Sequence, residues 1–145
     1  MVGGDPPEAV FNEELISWLG VGRDYIEAEI GRQTEEILRQ EKAFRGGRAP
    51  AALAGRTAII VDDGVATGAS VRAALRGVRR RGAERLILAV PVAPPRAAVE
   101  LAAEAEEVVV LFEPEPFVSV GMHYEDFTQT GDEEVLRLLE SAGRK

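Results

Sequence analysis

Residues Ala58 to Ser70 read AIIVDDGVATGAS, and the fold turns on this stretch. Ala58 to Val61 is apolar at consecutive positions, the pattern of a strand buried on both faces. It ends in two adjacent carboxylates, Asp62 and Asp63, and after a short loop Thr67, Gly68, Ala69 and Ser70 open a helix. Ligands of an open parallel sheet bind beyond the carboxyl ends of its strands, which is where the two carboxylates fall. Small residues let the backbone of Thr67 to Ser70 wrap closely around an anion. Unpaired amides at the positive helix end would hold a phosphate there, with the Thr67 and Ser70 hydroxyls adding hydrogen bonds. A carboxylate pair just ahead of such a cradle is placed to accept hydrogen bonds from a sugar diol, so the expected device is a ribose 5-phosphate clamp. A bare strand, turn and capped helix needs only one Asp or Thr. It would leave the second carboxylate and the glycine without a purpose.

Two further apolar runs follow, Leu86 to Val90 and Val108 to Phe112. Between the first two runs, Val71, Ala74, Leu75 and Val78 share one helical face opposite Arg72, Arg76, Arg79 and Arg80, which predicts an amphipathic crossover helix. Gly82 lies just past its basic last turn, as a C-terminal cap glycine would. A second crossover is expected from Pro95 to Glu104, with prolines where a missing amide costs nothing. Strand, helix, strand, helix, strand implies an α/β fold with a parallel sheet, right-handed connections and flanking helices.

Upstream, Arg23 to Phe44 reads as a long helix begun by Gly22 or Asp24, with Ile26, Ile30, Ile37, Leu38 and Phe44 near one face. Arg45 to Pro50 then combines Gly46, Gly47 and two arginines in a mobile basic connection. Downstream, Asp132 is the expected N-cap of a final helix carrying Val135, Leu136, Leu138 and Leu139, with Gly143 past its end. Gly3 to Pro7 reads as a loose terminal loop. The chain is expected to form a single domain over 1–145, with a helical segment and basic loop over 1–50 and the core over 51–145.

At 145 residues, 46% hydrophobic and 29% charged, the composition is that of one ordinary globular domain. The 17 Lys and Arg against 25 Asp and Glu leave a net charge of -8, which repels a polyanionic backbone and argues against nucleic acid as a partner. No apolar run reaches the roughly 20 residues that span a bilayer, and the acidic start does not resemble a secretory leader. A cytoplasmic protein with no membrane partner is expected. With no cysteine and one histidine, His123, disulfides and thiolate or His-rich metal sites are excluded. Glu104, Glu106 and Glu107 read as a solvated helix end. A receiver-type phosphorylation domain also pairs aspartates at a strand end. It would need an acceptor Asp on a later strand and a Lys beyond it, whereas the later strands end in Pro91 and Glu113.

The Ala58 to Ser70 stretch resembles the phosphoribosyl diphosphate (PRPP) motif of the type I phosphoribosyltransferases, a hydrophobic strand, two acidic residues, a loop and a Thr-Gly turn. RGGRAP before it, AVPVAPP after it and PFVSVGMHYEDFTQT near the end are similar to a bacterial group of such enzymes whose acceptor is unassigned. The resemblance implies a Rossmann-like phosphoribosyltransferase core. Asp62 and Asp63 would bind the ribose hydroxyls, directly or through water on a Mg2+ ion, and Ala66, Thr67, Gly68, Ala69 and Ser70 would bind the 5-phosphate. Ala66 stands where 6-oxopurine enzymes carry an Asp thought to act on the base, which speaks against purine salvage. Phe117, Val118 and Tyr124 would form an acceptor platform, and Arg45 and Arg48 a lid over the diphosphate. The family begins with a strand and a diphosphate loop that this chain lacks ahead of Met1, so an N-terminally truncated member is expected. The implied reaction transfers the phosphoribosyl group of PRPP to a nitrogenous acceptor with release of diphosphate. A non-catalytic PRPP- or nucleotide-binding module and an inactive fragment remain as alternatives, and a homodimer is one expected assembly.

Overall fold

The computed structural model describes residues 9–11 and 13–143. The terminal loop expected at Gly3 to Pro7 lies outside them. Two helices come first, α1 (Glu13–Leu19) and α2 (Arg23–Arg45), the latter starting after Gly22 and ending at Gly46 in a left-handed conformation. Strand β1 (Thr57–Val61), helix α3 (Ala69–Arg80), strand β2 (Arg85–Val92), helix α4 (Pro95–Leu101) and strand β3 (Glu107–Phe112) then alternate. A short 3-10 helix, Val120–His123, and α5 (Asp132–Ala142) complete the order. Gly131 takes the cap position of α5 and Asp132 its first turn, so the cap lies one residue earlier than the sequence pattern placed it.

The three strands pair in parallel in the order β1-β2-β3, with Ile60 opposite Leu88 and Leu88 opposite Val108. Parallel pairing requires a crossover, and α3 and α4 supply the two. Both lie on one face of the sheet, where Val71 and Leu75 of α3 and Ala97 and Leu101 of α4 join Leu86, Leu88 and Val90 in one core. Leu75, Leu86, Leu88 and Leu101 are fully buried. Each such side chain contributes about 1.5–3 kcal/mol relative to exposure.

The opposite face corrects an expectation. The runs of consecutive apolar residues predicted strands buried on both faces, yet Ile59, Val61 and Leu111 are 62%, 73% and 80% exposed. Side chains alternate along a strand, so an unbroken apolar run records two apolar faces. Only the face under α3 and α4 is covered among the described residues. Helix α2 packs against α5, and Arg39 reaches Asp132 at 2.6 Å.

A second correction concerns the acidic run after α4. The expected solvated helix end is an ion-pair ladder that fastens the two crossover helices and β3. Arg72 meets Glu100 at 2.7 Å, Arg76 meets Glu104 at 2.5 Å, Arg79 meets Glu106 at 2.6 Å and Arg85 meets Glu107 at 2.7 Å. Glu106 also accepts the Leu86 amide at 2.6 Å. The arginine face of α3 is thus turned toward its neighbour. Among the described residues no helix is long and apolar enough to cross a membrane.

Candidate functional site

Strand β1 stops at Val61 and α3 begins at Ala69, so Asp62 to Gly68 connects them at the carboxyl end of the sheet. Why the connection takes this path follows from its smallest residues. A Cβ on Gly64 would lie 2.7 Å from a Val120 methyl and 2.8 Å from one of Val92, so only glycine lets the loop pass there. Val65 is buried, and its amide donates to the Val92 carbonyl at 2.9 Å, fixing the loop to the end of β2. Gly68 adopts φ 78°, a left-handed conformation that L side chains rarely accept, and its carbonyl starts α3 by accepting from the Arg72 amide at 2.8 Å.

The result is a concave site of about 310 Å³ lined by Asp62, Asp63, residues 64–71 and Val120. One side of it carries the two carboxylates. Asp62 accepts the Asp63 amide at 2.9 Å, a bond within the pair. Partial burial pushes the Asp62 carboxyl above the usual carboxylate range; the Asp63 amide works against this and the adjacent Asp63 charge adds to it. On the other side is the turn into α3, with Thr67 and Ser70 exposed. Among the described residues the amides of Ala66, Thr67 and Gly68 donate to no backbone carbonyl, which leaves them open to an anion at the positive end of the helix.

All seven residues expected to bind ribose and 5-phosphate therefore meet in one cavity: Asp62, Asp63, Ala66, Thr67, Gly68, Ala69 and Ser70. The remaining candidates do not line it. The connection after Arg45 and Arg48 leads to the opposite end of the sheet, where Gly55 donates to Gly82 at 3.1 Å and Arg81 to the Ala51 carbonyl at 2.9 Å. Arg45 itself faces Glu41, and Arg48 caps the Arg45 carbonyl. Phe117 stacks on His123 at 5.6 Å, and Val118 is exposed. Tyr124 touches the loop from outside the lining residues. Its hydroxyl donates to the Asp63 carbonyl at 2.5 Å, so its polar tip is engaged by the loop backbone.

Sequence reasoning missed Gly64, Val65 and Val120, which shape the cavity. An inserted glycine after two acids was a visible signal for close approach, whereas nothing in the local pattern marked Val120. Among the described residues no Lys, Arg or His lines the cavity. Nor does any group of three or more potential metal ligands gather among them. A second cavity of about 320 Å³ lies between residues 9–11, α1 and α2; it is almost wholly apolar and its carboxylate, Glu29, is bonded to Arg32 and Gln33. It lacks the converging polar groups that distinguish a ligand site from a packing gap.

Comparison with known proteins places the chain in a family. Two proteins of Mycobacterium tuberculosis, from strains CDC 1551 / Oshkosh and H37Rv, are each provisionally named as a phosphoribosyl transferase. Both are 39% identical over 141 residues, which is 97% of this chain and 32% of theirs. The chain therefore spans about a third of the length of these curated relatives. The crystal structure of TT1426 from Thermus thermophilus superposes with a TM-score of 0.74 at 38% identity, covering 97% of this chain and 65% of that one. The phosphoribosyl transferase domain family matches residues 9–126, the span that holds the sheet, the carboxylate pair and the turn into α3, and the chain belongs to that family.

Proposed function

We propose that this cavity binds the ribose 5-phosphate portion of PRPP, and that the protein transfers the phosphoribosyl group to a nitrogenous acceptor with release of diphosphate. One observation carries the reading: a carboxylate pair and a turn of open amides share a single cavity at the end of β1. The turn supplies donors and a positive helix end to the doubly charged 5-phosphate, and the Thr67 and Ser70 hydroxyls add two more. Asp62 and Asp63 are acceptors suited to the ribose 2- and 3-hydroxyls, which fixes the ring over the cavity.

In the reaction the bond from ribose C1 to the diphosphate oxygen breaks, a bond from C1 to the acceptor nitrogen forms, and the acceptor's proton leaves to solvent or to the departing diphosphate. Positive charge grows at C1 in between. The carboxylates beneath the ring oppose that charge, and positioning supplies much of the remaining rate. No protein nucleophile is needed. Two adjacent carboxylates without a third ligand suit Mg2+, which is commonly held by one or two carboxylates together with substrate phosphates and water. Asp62 and Asp63 would hold it, and when bound it supplies neutralisation of the leaving diphosphate. The acidic charge and the class of substrate fit a cytoplasmic protein that does not act on nucleic acid.

A second reading has an observation in its favour. Because no cation lines the cavity, the described residues offer the diphosphate little, as in a module that binds a phosphoribosyl ligand without turning it over. Calorimetric titration with ribose 5-phosphate, PRPP and inorganic phosphate in the presence of Mg2+ tests both. Asp62→Ala or Asp63→Ala is expected to weaken the two ribose ligands about tenfold and to spare inorganic phosphate, the cost of about 1.4 kcal/mol for lost charge-assisted bonds. Equal loss for all three ligands, or none, removes the assigned roles. Diphosphate release that requires an added base or amine identifies the enzyme, and binding without release identifies the module.

A further inference from the structure

The two halves of the cavity are held by different means. The phosphate half is tied into the fold by α3, by the buried Gly68 and by the Val65 amide on Val92. The acidic half lies beyond the end of β1, and the bond between Asp62 and the Asp63 amide is internal to it. A tie to the rest of the molecule comes from 61 residues away, where the Tyr124 hydroxyl donates to the Asp63 carbonyl at 2.5 Å. Next to that carbonyl, Gly64 leaves the space that a Val120 methyl fills.

The donor is itself well supported. Its ring packs on Phe127 with centroids 5.2 Å apart, and Phe127 in turn lies where a Cβ on Gly121 would approach to 2.9 Å. The Tyr124 amide donates to the Gly121 carbonyl at 3.3 Å. The preceding residue, His123, sits edge-on to Phe112 at the end of β3 and stacked on Phe117. An aromatic post anchored to β3 thus holds a carbonyl at the end of β1.

We propose that Tyr124 is a positioning residue of this site: through the Asp63 carbonyl it fixes the carboxylate pair relative to the phosphate turn, and so governs affinity for the sugar and not for the phosphate. The inference rests on the reading of the cavity as a phosphoribosyl site and assigns Tyr124 a role other than an acceptor platform. A carbonyl released from its donor lets Asp62 and Asp63 rotate about the end of β1. The turn into α3 keeps its own anchors.

The test compares the full chain with Tyr124→Phe, which keeps the ring and removes only the donor. Each is titrated with ribose 5-phosphate and with inorganic phosphate, and amide hydrogen exchange is followed without ligand. Tyr124→Phe is expected to weaken ribose 5-phosphate about three- to tenfold, the range of one uncharged hydrogen bond, with phosphate changed less than about twofold. Exchange at Asp63 and Gly64 should quicken while that at Val71 and Leu75 stays the same. Selective binding by the unaltered protein with no change in Tyr124→Phe overturns the inference alone, as does parallel loss of both ligands. Ribose 5-phosphate that binds the unaltered protein no better than phosphate overturns the site reading and the inference with it.

Discussion

Asp62 is partly withdrawn from water beside a second carboxylate, with no cation among the described residues that line its cavity. On the proposed reading it is held for a ligand at some expense to the fold. Its carboxyl titrates higher folded than unfolded, so the folded chain takes up this proton first as pH falls. The penalty for its charge is therefore full above the raised value, and it disappears as pH drops toward the ordinary value of 3.8. Asp62→Asn keeps an oxygen for the Asp63 amide and abolishes the charge. It is expected to stabilise the ligand-free protein at pH 7 by a few tenths of a kcal/mol, about the scale left after solvent screening. The gain should fade toward pH 4 and be accompanied by lost ribose affinity. Thermal melts across that interval check the sign; a variant less stable at pH 7 would show that the charge is already compensated.

Among the elements, α3 joins the site to the fold, since its first turn faces the cavity and its arginines grip α4 and the connection from α4 to β3. The carboxyls of Glu100, Glu104 and Glu106 are all held below the usual range. For Glu100 the leading cause is Arg96, for Glu104 it is Arg76, and for Glu106 it is the Leu86 amide, followed by Arg79. These groups run opposite to Asp62. Their contribution is complete above the ordinary value of 4.5 and drains away as pH falls through the lowered values. Denaturant unfolding is expected to show stability flat from pH 7 to about pH 5 and declining below it, and Glu106→Gln should flatten that decline more than Arg85→Ala does. A decline that begins well above pH 5 would exclude the ladder as its cause. The elements themselves were readable because their signals are local: Gly82 past the basic turn of α3, Pro95 at the start of α4, and the run Ala58 to Val61 leading into two acids. The ladder was not. Glu104 and Glu106 look like solvated charge until the sheet order sets α4 beside α3, and nothing in the local sequence pairs Tyr124 with the Asp63 carbonyl.

For the whole molecule, the same dependence on context explains the sheet. An apolar run reports that both faces of a strand are water-averse, and says nothing about which segment lies over each. Here α3 and α4 cover one face, and Ile59, Val61 and Leu111 remain open on the other. Burying apolar area releases roughly 25 cal/mol per Å², so exposed side chains of this kind add nothing to the stability of the chain that displays them. They favour any contact that removes them from water. Replacing Val61 or Leu111 with Lys tests this directly, since the new ammonium would sit in solvent. The expected free energy of urea unfolding is unchanged to within about 0.5 kcal/mol, while light scattering at high protein concentration falls. A loss of about 2 kcal/mol or more, the scale of a buried side chain, would mean that this face is packed within the single chain, and the covered side of the sheet would then not be the main source of its stability.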